Sequence, residues 1–423
     1  MTAKPEAPLD CDVLIVGGGA VGSALACALA ELPLDLVLVE AHEIKNLEQP
    51  SFDQRTTALA NGSQKILAAL GVWRDLEGHT EAIRSIHISE RGRFGAARIA
   101  AADEGVTALG YTVENAALGR VLWERLANAP RLRTFAPARV TQLTAEAGAA
   151  TAVIEPGARP VRARLVVAAD GARSSVRAAL GIDVNEHDYA QRALIFNCAT
   201  EEPLAGRAYE RFTRRGPIAF LPLTAGRAAV IWTLPTADAE QVAALQTDEF
   251  RAELQSAFGF RLGRIGRIGE RQMHTLARIA SHELHRERAV LIGDAALRLH
   301  PVAGQGFNLA LRDVATLAEV IADAFAAARA SGSEPDAGAA ALLDRYRDWR
   351  RTDQRRVSTF THGLINLFGE DRPALGPVLG LARGLGLVAF DLLPGAKALL
   401  ARQTMGRAGR LPRLARGLSL VVR

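Results

Sequence analysis

Three cysteines in 423 residues, Cys11, Cys27 and Cys198, are too few and too scattered for a disulfide framework, and no CxxC pair offers a structural zinc site. Reduced, buried, inert thiols are expected. Aromatic residues are scarce, at 5%, and no uninterrupted apolar run reaches membrane-spanning length. Residues Met1–Asp10 are polar and contain proline, without the apolar core of a signal peptide, so a cytoplasmic protein is expected. Charge of one sign is also lacking: 51 basic residues are interspersed with 46 acidic ones, which gives no nucleic-acid footprint. His282 and His285 are three apart, where a zincin helix needs four, and no metal site is expected.

What is abundant is apolar surface (49%) and glycine (38 residues), enough for a large α/β core with many tight turns. Asp12–Val16, Leu36–Val39, Leu165–Ala169 and Ala289–Ile292 read as buried strands. The last two end on Asp170-Gly171 and Gly293-Asp294, the signature of an open parallel sheet with ligands at its carboxyl edge. Ala20–Leu32 reads as the helix of a βαβ unit. Gln191–Thr200, Tyr209–Phe212, Ile218–Leu223 and Ala228–Leu234 read instead as an antiparallel meander, followed by a helix over Ala237–Phe258. The expected division is a discontinuous parallel-sheet domain (1–184 and 286–335), an inserted, mostly antiparallel domain (185–285) and a helical C-terminal region (336–423).

Gly17-x-Gly19-x-x-Gly22 follows a strand and opens a helix. Gly17 permits the turn, Gly19 lets backbone approach a pyrophosphate, and Gly22 allows close helix–strand packing. Glu40 closes the second strand, where a carboxylate can accept ribose hydroxyls and would repel a 2′-phosphate. FAD and NAD remain equally open on this motif. The second glycine-rich element decides between them. Asp294 ends a strand where it can bind a sugar-alcohol hydroxyl, and His300-Pro301-Val302-Ala303-Gly304-Gln305-Gly306-Phe307-Asn308-Leu309 starts a helix whose N–H groups would face developing negative charge. Reduced flavin concentrates such charge at N1 and the C2 carbonyl, which favours FAD.

These motifs, with Val167–Arg177 around Asp170-Gly171 between them, resemble the aromatic-hydroxylase class of flavoprotein monooxygenases. The closer likeness is to the ubiquinone-biosynthesis hydroxylases, carried by Phe52–Leu59, Tyr209-Glu210-Arg211-Phe212 and Gly293–Asp313. Gly304–Leu309 followed by Ala310–Asp313 looks most like the bacterial 2-polyprenyl-6-methoxyphenol hydroxylase branch. Many family members carry histidine where this chain has Leu297, a difference of subgroup.

The resemblance implies a p-hydroxybenzoate-hydroxylase-like fold: a Rossmann-type FAD-binding sheet, an inserted substrate domain and a helical C-terminal region. It implies FAD contacts from Arg55 and Arg120, a role for Asp170 with both FAD and NADPH, and FAD contacts along Gly304, Gly306 and Asn308. Arg55 could also pair with a carboxylate such as Asp170. Pro301 would hold a carbonyl near flavin C4a, and His300 is a candidate acceptor for the phenol proton. The implied chemistry reduces FAD with NAD(P)H and passes oxygen from O₂, through a flavin C4a-hydroperoxide, to an electron-rich polyprenylated phenol. No second GxGxxG serves NADPH, so it binds transiently over the FAD groove or another protein delivers electrons. Rival readings are hydroxylation of another ring position or phenol, an FAD-linked reductase of polyprenyl chains, and a non-catalytic flavoprotein scaffold. Leu375–Leu400 and the arginines that follow it (Arg402, Arg407, Arg410, Arg413, Arg416 and Arg423) read either as a cap over the sheet or as a surface for an anionic membrane or a biosynthetic complex.

Overall fold

A computed structural model describes residues 8–44, 55–300, 304–369, 391 and 394–421. The chain opens with strand β1 (Leu9–Val16), helix α1 (Ala20–Leu29) and strand β2 (Leu36–Val39). Strands β3 (Ser85–Glu90) and β4 (Ala96–Ala100) and helix α2 (Asn115–Leu126) precede strand β5 (Arg159–Ala168). A meander follows: β6 (Val184–Thr200), β7 (Arg207–Thr213), β8 (Gly216–Pro222), β9 (Arg227–Pro235) and, after two helices, β10 (Gln272–Ser281). The chain returns with β11 (Ala289–Leu291) and continues into helices α3 (Gln305–Ser331), α4 (Ala340–Gly369) and α5 (Pro394–Thr404).

The parallel sheet runs β11-β5-β1-β2 and then Leu132–Phe135. Val13–Val16 and all of β2 are buried, as strands covered on both faces must be. Their continuous apolar runs stop on glycine or aspartate, which puts Gly17, Asp170 and Asp294 along one edge. Helix α1 ends at Leu29, short of the expected Leu32, ahead of Pro33.

The second sheet runs β10-β6-β9-β8-β7-β3-β4. It reaches beyond 185–285: β3 and β4 come from residues 85–100, and β3 pairs parallel with β7 in an otherwise antiparallel array. The helix expected over Ala237–Phe258 is two, Thr236–Ala244 and Thr247–Phe258. Leu245 is extended, and Gln246 and Glu249 form a capping box that restarts the helix. Each sheet has its own core, one around the parallel strands and one where Phe196, Phe220, Trp232, Phe250 and Phe258 pack beneath the meander. Ala401 of helix α5 and Met405 just after it cap the edge strands, packing with Ile99, Ile86 and Ile88.

All three cysteines are buried, and burial pushes each thiol up to about 12, with nearby carboxylates adding to the effect at Cys11. Inert thiols follow.

Candidate active site

A cavity of about 2000 Å³ lies between the two sheets. Small-molecule sites usually hold roughly 300–1,000 Å³, so this one has room for two ligands side by side. Its lining includes Gly17, Gly19, Glu40, Arg55, Asp170, Asp294, Gly304 and Gly306 from the parallel-sheet side, and the inner face of the meander opposite.

The glycine loop is held by contact, not by preference alone. Gly17 has φ +106°, and a Cβ there would lie 2.5 Å from the Ala169 carbonyl oxygen. A Cβ on Gly22 would lie 1.9 Å from the Gly17 oxygen. Glu40 is buried: Oε2 accepts the Gly18 N–H at 2.6 Å and Oε1 accepts the His42 N–H at 2.8 Å. It therefore clamps the loop while keeping a further lone pair on each oxygen. Asp170 divides its carboxylate. Oδ2 accepts from the backbone N–H groups of Ser175 and Val176 and from the Ser175 hydroxyl, while buried Oδ1 has no partner among the described residues.

The other end of the cavity is the start of α3. Gly304 takes φ +58° as its N-cap, and neither α1 nor α3 has a side-chain cap at its start. Two helix N-termini thus present backbone N–H groups to one cavity. The lining suits a dinucleotide flavin: a tight glycine cradle at one helix start, a left-handed glycine cap at the other, and the orphaned Asp170 oxygen. Asp294 lines the cavity, with its side chain open to that space. Enclosure by protein raises its carboxyl above the usual range, and Arg298 and Arg55 oppose the shift. Arg55 thus has Asp294 as a charge neighbour.

Three expected residues stand elsewhere. Asn308 is saturated by protein: Nδ2 donates to the Ala58 and Gly304 carbonyls, and Oδ1 accepts from the Ala60 N–H and Ser63 hydroxyl, all at 2.7–2.8 Å. It fastens α3 to the strand Thr56–Ala60 and does not line the cavity. Arg120 is off the cavity, beside Glu124 and His79. Asn115 and Leu118 of the same helix face inward, and a residue two further on points about 200° away. His300 is buried against Tyr189 and Gln191, away from the cavity lining. Pro301 lies outside the described residues.

Burial holds the His300 imidazole down at about 4. The unfolded chain, near the ordinary 6.5, binds this proton first, so stability falls as pH drops from about 6.5 towards 4. His300→Asn should remove a contribution on the order of 2 kcal/mol from the loss seen by pH 5, readable as a flatter dependence of melting temperature on pH.

Motif spacing did not disclose a buried ionic network behind the second loop. Asp313 on α3 accepts from the Gly293 N–H at 3.1 Å and from Arg350 Nε at 2.6 Å. Arg350 also pairs with Asp353, which holds Arg312. The Gly293-Asp294 turn is therefore anchored from α4. Ionisable residues inside a wholly buried stretch of α3 were the available signal. Leu297 packs with Leu299, Leu309 and Val357.

A family model described as an FAD binding domain matches residues 10–361. The ubiquinone hydroxylase UbiL of Rhodospirillum rubrum is 38% identical over 412 residues, covering 97% of this chain and 93% of that protein. The 3-demethoxyubiquinol 3-hydroxylase of Escherichia coli is 31% identical, covering 92% and 96%. Among solved structures, p-nitrophenol 4-monooxygenase PnpA from Pseudomonas putida superposes with a TM-score of 0.75 over 95% of this chain and 100% of that one, at 19% identity, a likeness of fold.

Proposed function

This chain belongs to the FAD binding domain family, and from that premise we propose that it is an FAD-dependent monooxygenase that hydroxylates the ring of a polyprenylated methoxyphenol in ubiquinone biosynthesis. The observation that carries this reading is the single cavity joining two uncapped helix starts to an apolar sheet face. When bound, FAD supplies the activation of O₂ by electrons from NAD(P)H. The chain does the rest. The α1 N-terminus and Gly17-Gly18-Gly19 receive the pyrophosphate, Glu40 and Asp294 accept hydroxyls, and Asp170 offers its spare oxygen. Arg55 balances the charge of Asp294. The N–H groups at Gly304–Gly306 would stabilise negative charge on the bound flavin. The parallel-sheet unit (1–184 and 286–335) holds the cofactor. The meander, with β3 and β4, forms the substrate wall and excludes water.

The names of the two relatives support a ubiquinone precursor as the substrate class. Deleting the gene should make a prenylated phenol lacking one ring hydroxyl accumulate, identifiable by mass spectrometry. An unchanged quinone profile, or accumulation of an unsaturated-tail intermediate, would refute the hydroxylase reading, the latter in favour of a prenyl reductase.

Among the described residues no helix is long and apolar enough to cross a membrane. We place the polyprenyl tail along α5, whose Leu399 lines the cavity and is 71% exposed. Arg402, Arg407 and Arg416 beside it are exposed and suit an anionic lipid surface or an acidic partner. The basic tail is not uniformly available for this: Arg413 pairs with Asp323 and Glu319, and Arg410 lies over the Trp349 ring.

A further inference from the structure

The inner face of the meander is apolar by register. Pairing across the sheet sets Ala97, Ile88, Glu210, Ala219, Ile231 and Ile195 in one row over β4, β3, β7, β8, β9 and β6. All six line the cavity, and Glu210 is the one charged member of that row. Above and below it on β7 stand Ala208 and Phe212, also lining residues. Among the described residues no side chain donates to its carboxylate.

Among the described residues, no neighbouring element sets a cation against this carboxylate. Neighbouring β8 contributes Pro217, Ala219 and Leu221 to this face. On β3 the flanking residues are Ile86 and Glu90, the latter beyond Phe212 and ion-paired with Arg93. Helix α5 adds Leu399, Leu400 and Gln403 over the edge strands, with Lys397 turned to Asp391. His274, Arg298, Arg355 and Arg356 line the cavity from other elements. Burial alone raises the Glu210 carboxyl to about 7. A half-buried carboxyl with no partner among the described residues costs stability, and packing gives no reason for one here.

We propose that Glu210 is the catalytic base for the substrate's phenolic hydroxyl. This rests on the hydroxylase reading above. The phenol O–H bond breaks as its proton passes to the Glu210 carboxylate, and the oxygen's electron pair moves into the ring. The enriched ortho or para carbon then takes one oxygen atom of O₂, while the two electrons of NAD(P)H reduce the other. The resulting cyclohexadienone loses its ring proton to water while Glu210 returns its proton to the original oxygen. The ring gains one hydroxyl, the second O₂ oxygen leaves as water, and the carboxylate is restored.

The test uses FAD-loaded enzyme, NADPH and a short-tailed 2-prenyl-6-methoxyphenol. Glu210→Gln should lower kcat for hydroxylation roughly 100-fold with a smaller change in KM. Wild-type kcat/KM should rise with pH through about 7 as the carboxylate forms, and the variant should lose that limb. Glu210→Asp should recover part of the rate. A separate binding readout compares the phenol with its O-methyl ether by flavin fluorescence. Wild type should prefer the phenol by tenfold or more, on the order of a hydrogen bond to a charged group, and Glu210→Leu should bind both alike. Glu210→Gln and Glu210→Leu remove an unpaired charge and should melt no lower than wild type. Hydroxylation by Glu210→Gln within threefold of wild type, with the same pH limb and phenol preference, overturns the assignment while leaving the hydroxylase reading intact. Failure of wild type to hydroxylate any such phenol overturns both.

Discussion

Gly22→Ala is expected to purify without flavin. The added methyl would stand 1.9 Å from the Gly17 carbonyl oxygen, which is backbone and has no rotamer to escape into. Helix α1 cannot retreat, because Ser23 to Leu29 are buried in the main core, and Ala169 closes the other side at 3.3 Å. The loop must move instead, breaking the Gly18 N–H bond to Glu40 and turning the helix start away from the pyrophosphate. A loss of at least 100-fold in FAD affinity is expected, read by fluorescence titration of the apoprotein. Near-normal FAD binding by this variant would mean that the cofactor site is not at α1.

Arg350→Met should be the most destabilising single change behind the site. Arg350 and Asp313 have side chains only 2% exposed, and breaking such a pair from one side leaves an uncompensated buried charge, at a cost of about 3–5 kcal/mol. Burial already pushes the Asp313 carboxyl up, with Arg350 as the main opposing influence. Without Arg350 the folded state holds that proton more firmly than the unfolded chain does. The variant should therefore lose stability further as pH rises from the carboxylate range, the sign following from the extra proton in the folded state. Pairing the change with Asp313→Leu should recover much of the loss, although the Gly293 N–H then lacks its acceptor. Thermal melts of the single and double variants at two pH values would check both statements, and equal melting of wild type and Arg350→Met would refute them.

The parallel half of the fold was legible because its strands are unbroken apolar runs ending on glycine or aspartate, a pattern set by burial on both faces. The partnership of β3 with β7 was not. It joins segments more than a hundred residues apart, and nothing local encodes which strand an edge strand will meet. Side-chain direction was the other hidden quantity. Arg120 and Asn308 both sit on helices, but whether a helical residue faces the cavity depends on which face the tertiary packing turns inward. Glu210 was visible only as one letter of a shared segment, and its isolation on an apolar sheet face appeared only with the register of five neighbouring strands.

The second glycine-rich element, not the first, ties the site to ring hydroxylation, and isotopic oxygen addresses that link most directly. FAD-loaded enzyme given NADPH, a short-tailed prenylated methoxyphenol and isotopically heavy dioxygen should yield a product carrying a single heavy oxygen in a new ring hydroxyl, with NADPH oxidation accelerated by the phenol. A product whose added oxygen comes from water, or NADPH oxidation that the phenol leaves unchanged, would contradict the proposed hydroxylation.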